Sequence, residues 1–307
     1  MSLKLTILGC HSATPRSFAH PTSQHLEINN RAFLIDCGEG TQRQLRKYKL
    51  KFSKIKCIFI SHLHGDHFYG LIGLISTFSV LNRQTELHIY GPKGIKEVIN
   101  LQFKLSKSGV IYPLHFHELS SANSELIYED PMVSVVTIPL KHRVYTNGFL
   151  FKEKFDERKL NMKEISKYQE IEICDYQNIK DGKNFIKSNG EIIPNEQLTF
   201  PPPPALKYAF CSDTSYFEDI IPAIKNADLL YHESTFLDDK IELAQKTKHS
   251  TARQAAKIAK KATVEKLILG HYSSRYKNID LFLQEAKTIF KNVELSETGK
   301  IFSINNL

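Results

Sequence analysis

The sequence predicts an α/β protein. Short β-rich runs alternate with helical patterns along its 307 residues, and buried-type strands break repeatedly into loops that start with polar, chemistry-bearing residues. "KLTILG", "HLEIN" and "RAFLIDC" read as strands, and residues 40–50 as a helix. "KCIFIS" is a strand of the fully buried type, and Tyr69–Leu81 reads as a helix after it. "ELHIYG" is a further strand, and "PKGIKEVINLQFKL" sets Pro92 near a helix start. "MVSVVTIPL" and "GFLFKE" return to the strand pattern. In the last third "LKYAFCSD", "ADLLYHES" and "EKLILGH" are strands, with the helix "STARQAAKIAKKA" between the last two.

Composition narrows the class. Hydrophobic residues make up 41% and charged residues 24%, the balance of a globular chain that buries a substantial core. The longest apolar stretch, "GLIGLISTFSVL", is too short and interrupted for a membrane span. "MSLKLTILGC" lacks the long apolar segment of a secretory signal. Five cysteines, odd in number and without a CxxC, fit a reducing cytoplasm better than a disulfide framework.

The net charge of +8 is unevenly placed. Residues 1–60 hold ten Lys/Arg against three Asp/Glu, residues 240–307 thirteen against six, and Arg43–Lys56 seven against none. Such patches suit a polyanion, nucleic acid first, although a solvated Lys-rich face accounts for the charge equally well. Residues 152–200 stand apart. They carry nine basic and ten acidic residues, end in "FPPPPA", and are too polar for a strong core of their own. Within them "DERKLNMKEISKYQ" fits a helix and "NIKDGKNFIKSNGEIIP" has turn chemistry. A structureless run of this length is usually functional or disordered.

The chemistry concentrates in "CIFISHLHGDHFYGL", which packs His62, His64, Asp66 and His67 into six positions. Histidines two apart point to opposite faces of a helix, so this is a loop rather than a helical HExxH site. Neutral imidazoles and a carboxylate are good ligands for zinc-like metals, and four in one loop exceed what one ion needs from it.

"HLHGDH" resembles the HxHxDH motif of the metallo-β-lactamase superfamily. The further ligands of that superfamily map onto His142 after "MVSVVTIPL", Asp213 in "CSDT" and His271 in "GHYSSRY", each at a strand end. With "DCGEGTQRQL", "YHESTF" and "KHST" added, the chain resembles the ribonuclease Z family of tRNA 3′-processing endonucleases, from its N-terminus to about residue 276. The resemblance implies a metallo-β-lactamase-like αββα four-layer sandwich. The chain is then one domain, 1–307, with residues 152–200 inserted as a protruding arm, a candidate tRNA-binding surface that lacks the Gly-Pro-rich run of many members.

The same resemblance implies two zinc ions. His62, His64 and His142 hold one, Asp66, His67 and His271 the other, and Asp213 bridges them. Asp66 doubles as a general base. His249, ahead of a helix read as capped by Ser250, is the expected general acid, oriented by Glu233. Outside the resemblance, Glu233 reads as an ordinary buried acid and His249 as a surface residue beside a helix. Arg275 is a candidate phosphate contact, Gly38 and Gly40 serve a tight turn, and Thr214 and Ser273 support the ligands. Precursor tRNA is the implied substrate of a cytoplasmic homodimer. A small-molecule esterase or lactonase would share the metal loop but not "HEST" with "KHST" or the basic ends. A DNA-processing nuclease is the other alternative, since charge does not separate DNA from RNA.

Overall fold

The computed structural model describes every residue except 1, 15, 16, 18, 155, 156, 203, 306 and 307, so two residues of the expected arm and one of its proline run lie outside the described set. The chain divides into two compact units, residues 1–152 with 206–305, and residues 153–205.

In chain order the strands of the larger unit begin with β1 (Ser2–Gly9), β2 (Ser23–Ile28), β3 (Arg31–Cys37), β4 (Ile55–Phe59), β5 (Leu87–Pro92) and β6 (Leu114–Leu119). Next come β7 (Leu126–Glu129), β8 (Val133–Pro139) and β9 (Asn147–Glu153). The smaller unit holds β10 (Lys159–Leu160), β11 (Phe185–Ile186), β12 (Ile192–Ile193) and β13 (Thr199–Phe200). The chain finishes with β14 (Lys207–Cys211), β15 (Leu229–Glu233), β16 (Lys266–Gly270), β17 (Val293–Leu295) and β18 (Ile301–Asn305).

The larger unit is built on two seven-stranded sheets, ordered β18-β1-β2-β3-β4-β5-β6 and β17-β16-β15-β14-β9-β8-β7. Both are mixed. β3 to β6 run parallel in the first sheet and β14 to β17 in the second, with antiparallel strands alongside.

Alternation along each strand sorts side chains into layers, because successive residues face opposite sides of a sheet. Phe33 and Ile35 of β3, and Cys57 and Phe59 of β4, enter the core shared with Phe149, Phe151, Tyr208 and Phe210 of the second sheet. Their neighbours Leu34 and Ile58 enter a separate core with Leu45, Leu71, Leu74 and Ile99, from the helices Thr41–Lys47, Leu71–Val80 and Ile95–Leu105. On the far side Ala252, Ala255, Ala256 and Ala259 lay the helix Ala252–Lys261 against the second sheet, the small residues allowing close approach. Helices, sheet, sheet and helices make the four-layer sandwich that was expected.

Every strand read from the sequence is present. In the larger unit four were not anticipated: β6, β7, β17 and β18, which are the four outer edges of its two sheets; nor were the short strands β10 to β13 of the smaller unit. Edge strands have one unpaired side and lack the continuous apolar run that marks a buried strand.

The smaller unit has a little core of Ile165, Ile171, Ile179, Ile193 and Leu198, more than its polarity suggested. Its strands pair as β10 with β13 and β11 with β12. Buried Asn195 ties it together, its side-chain amide donating to the carbonyls of Ile179 at 2.7 Å and Lys183 at 2.9 Å. The helix expected over "DERKLNMKEISKYQ" is a single turn, Met162–Ile165, capped by Asn161.

The turn "CGEG" follows β3. Gly40 has φ 83°, a left-handed conformation that a side chain resists. Gly38 is there for contact: a Cβ on it would lie 2.5 Å from the Asp66 carbonyl oxygen and 2.9 Å from Pro21 Cβ. Gly38→Ala is therefore expected to cost about 1–3 kcal/mol through overpacking, read as a lower urea midpoint with an unchanged slope.

Candidate metal centre

The C-terminal ends of parallel strands in a sheet open onto one edge, so loops leaving them meet there. β4 leads into His62, β14 into Asp213 and β16 into His271, while His142 follows β8. Backbone bonds join the two sheets at this edge: the His271 N–H donates to the Cys10 carbonyl at 2.7 Å and the Asn147 N–H to the Ser61 carbonyl at 3.1 Å. Asp213 and His271 adopt φ 54° and 61°, a left-handed conformation found in few non-glycine residues and often at functional sites.

All seven expected ligands converge. Asp213 stands at the centre. Its Oδ2 lies 3.6 Å from His62 Nε2 and 3.7 Å from His142 Nε2, and its Oδ1 lies 3.2 Å from both His67 Nε2 and His271 Nε2. His64 Nδ1 completes the first group, 2.9 Å from His62 Nε2 and 3.4 Å from His142 Nε2. Asp66 Oδ2 completes the second, 3.5 Å from His67 Nε2 and 3.3 Å from His271 Nε2.

These side chains fit a metal. Ligands about 2.0–2.2 Å from a tetrahedral ion lie about 3.3–3.6 Å from one another, close to the spacings here. His67 Nε2 is buried without a hydrogen-bond partner and faces this cluster. The opposite ring nitrogens are tied back. His67 Nδ1 meets Asp36 Oδ2 at 2.7 Å, His62 Nδ1 meets Ser61 Oγ at 3.0 Å, His142 Nδ1 meets the Lys248 carbonyl at 2.9 Å, and His271 Nδ1 meets Thr235 Oγ1 at 2.8 Å. Such outer bonds fix each tautomer and leave the inner lone pair for a cation.

Electrostatics agree. Burial holds His62, His64 and His142 below the usual imidazole range, so they are neutral and ready to ligate. Burial opposes the charge on Asp213, but His271, His67 and His62 together keep its carboxyl well below the usual range. Asp66 is likewise lowered, burial being outweighed by His67 and His271. His67 is pushed well above its usual range despite burial, because Asp213, Asp66 and Asp36 surround it. Three carboxylates about one imidazole call for a cation.

The other expected residues lie beside the cluster. Glu233 is fully buried and accepts from the Thr214 N–H at 3.0 Å and the Thr235 N–H at 2.9 Å. His249 Nδ1 meets Glu233 Oε1 at 2.8 Å. Burial would lower His249, but the Glu233 carboxylate more than offsets it, and its pKa is pushed up to about 9. The helix after it is capped by Thr251, in a capping box with Gln254, rather than by Ser250. Ser250 Oγ donates instead to the Thr214 carbonyl at 2.7 Å, a tertiary bond that outcompetes local capping. Thr214 Oγ1 accepts from the Lys141 N–H at 3.1 Å, beside His142. Arg275 lines a cleft of about 690 Å³ over the cluster, with Arg43 and Arg143 also in its wall.

Sequence reasoning missed Asp36, which accepts from the Ser61 N–H at 2.7 Å and Ser61 Oγ at 2.9 Å while holding His67. A carboxylate closing an apolar strand was the available signal. It missed Arg43 and Arg143 as cleft residues, and the Lys248 carbonyl, which no side-chain pattern reveals. Asp36→Asn is expected to weaken metal binding about 10–100-fold with the fold retained, measured by competition with a chelator.

Comparisons with known proteins agree with this geometry. A family model described as anti-Pycsar protein Apyc1 matches residues 3–109. A curated ribonuclease Z from Bacteroides thetaiotaomicron is 44% identical over 303 residues, covering 99% of this chain and 96% of that protein. The crystal structure of human tRNase Z, short form, superposes with a TM-score of 0.72 at 28% identity, covering 98% of this chain and 99% of that one. The metallo-β-lactamase fold protein YhfI from Bacillus subtilis superposes with a TM-score of 0.70 at 21% identity, covering 99% and 100%, and shares the fold. The αββα sandwich is thus a metallo-β-lactamase fold, and with close to half its residues identical to a relative along nearly the whole of both sequences, this chain belongs to the ribonuclease Z family.

Proposed function

We propose that the chain is a zinc-dependent endoribonuclease that removes the 3′ trailer from precursor tRNA and leaves a 3′-hydroxyl on the tRNA. The observation that carries this reading is Asp213, with one carboxylate oxygen toward His62 and His142 and the other toward His67 and His271. In this assignment His62, His64 and His142 hold one zinc ion, Asp66, His67 and His271 a second, and Asp213 is shared. Bound there, two such ions supply Lewis-acid polarisation of the phosphodiester and a water nucleophile acidified toward neutral pH.

The chain's own groups do the rest. Asp66, ionised throughout, accepts the proton of the attacking water. The bond from phosphorus to the tRNA O3′ breaks, and His249 protonates that oxygen. Glu233 holds Nδ1 of His249, which leaves Nε2 to deliver the proton. With its pKa raised to about 9, His249 carries that proton at neutral pH. Arg275, Arg43 and Arg143 line the cleft where phosphates would enter. Residues 152–200 act as an arm that grips the tRNA body, and the basic run Arg43–Lys56, exposed at every lysine and arginine, supplies phosphate attraction that the near-neutral arm does not. Among the described residues no helix is long and apolar enough to cross a membrane. A cytoplasmic homodimer completes the reading, as the resemblance implies.

Incubation with a 3′-extended tRNA precursor tests it: a single cut leaving a 3′-hydroxyl on the tRNA and a 5′-phosphate on the trailer is expected, and a chelator should abolish it. A lactone or thioester cleaved in preference would overturn the reading. His249→Ala should keep its metal and RNA affinity yet lose about 10²–10⁴-fold in turnover. In the unaltered chain, turnover should fall as pH rises through about 9, where His249 loses its proton, and that limb should vanish in the variant.

The arm is tested by replacing residues 156–192 with a short Gly/Ser linker. Metal content and hydrolysis of a small phosphodiester should survive, while precursor cleavage drops mainly through weaker binding. Loss of small-substrate hydrolysis as well would assign the segment to the catalytic body.

A further inference from the structure

The neighbouring strands β5 and β6 carry a second histidine cluster. "LHIY" pairs with "LHFH" in parallel register, His88 beside His115 and Tyr90 beside His117. Residues two apart on a strand share a face, so His88, His115 and His117 project from the same side of the sheet. The rings of His88 and His115 stack at 4.8 Å, and those of His88 and His117 at 5.2 Å. Glu86, just before β5, closes the group: its Oε2 lies 3.4 Å from His88 Nε2 and 3.8 Å from His115 Nε2.

We propose that Glu86, His88 and His115 form a separate binding site for one zinc-class divalent ion at the edge of the first sheet. The three donor atoms converge within 4.8 Å of one another. A tetrahedral ion with ligands at about 2.0–2.2 Å spaces them about 3.3–3.6 Å apart, so small movements of exposed side chains complete the geometry. Imidazole and carboxylate suit zinc, nickel or copper rather than calcium.

The orientation of His88 supports a metal. His88 Nδ1 shares a hydrogen bond of 2.9 Å with His117 Nε2. In the tautomer in which His88 donates from Nδ1 to His117, its Nε2 presents a lone pair to the side where Glu86 Oε2 lies. Two electron-rich atoms facing each other are favourable with a cation between them. His117 is thus a positioning residue for His88, as carbonyls and carboxylates are for metal-bound histidines elsewhere.

The site is distinct from the centre above. His88 sits beside Cys57 within β4, whereas His62 lies past the end of that strand, and the two groups share no residue. Three protein ligands leave a coordination position to solvent, which makes the ion exchangeable.

The test counts ions. Chelator-stripped full-length protein is titrated with zinc against a chromogenic chelator, and with cobalt(II) to read ligand-field bands. His115 and Glu86 have side chains 47% and 59% exposed, so His115→Asn and Glu86→Gln fold normally. Each should bind one ion fewer than the unaltered chain and still cleave precursor tRNA at the same rate. In an Asp213→Ala background, adding His115→Asn should remove a further ion. His117→Ala should weaken that same ion without abolishing it. Equal ion counts in the unaltered chain and His115→Asn would overturn the proposal. Loss of metal only with Asp213→Ala would likewise confine binding to the catalytic cluster.

Discussion

Three carboxylates, those of buried Asp36 and Asp213 and of largely covered Asp66, lie within reach of one imidazole, His67, at the seam between two sheets. Burying charge is costly unless it is compensated, and one protonated histidine does not compensate three anions. The surrounding arrangement answers that constraint. The imidazoles turn one ring nitrogen inward, their outer nitrogens are held by Ser61, Thr235, Asp36 and the Lys248 carbonyl, and the demand for positive charge is left to a metal.

The fold meets the demand by bringing chain ends together from both halves. Asp36, His62, Asp213, Glu233 and His271 stand at or just past the ends of β3, β4, β14, β15 and β16. A strand buried on both faces holds its terminus to within the tolerance of its packing, so the ligands inherit the rigidity of the core. Backbone bonds from His271 to Cys10 and from Asn147 to Ser61 keep the sheets in register where the ligands need it. The left-handed backbone at Asp36, Asp213 and His271 marks where the chain bends sharply to aim them.

Reactive and supporting histidines are separated by what their far nitrogen touches. A neutral group behind the ring leaves a lone pair on the inner nitrogen, as at His142 and the Lys248 carbonyl. A carboxylate behind it raises the pKa and keeps a proton on the ring, as at His249 and Glu233. His67 has a carboxylate behind it too, yet two more in front, so in the proposed centre its proton is the one a metal would displace.

The layered fold and most of the site were legible in the sequence. Buried strands leave continuous apolar runs, and "HLHGDH" places four ligand types where no helix or core needs them. The remaining ligands, with His249 and Glu233, came through the family resemblance, since nothing local in "CSDT" or "KHST" joins them to that loop. Tertiary structure alone decided the rest. The four edge strands were invisible because one open side relieves them of an apolar pattern. Ser250 reads as a cap and is not one, because the Thr214 carbonyl, 36 residues away in sequence, takes its hydroxyl. Asp36 and the Lys248 carbonyl hold histidines 31 and 106 residues distant, and the outer histidines pair only because β5 lies beside β6. Periodicity and motif record what each residue does for its own segment. Which distant group it meets depends on the packing of the sheets, and one segment's sequence does not encode that.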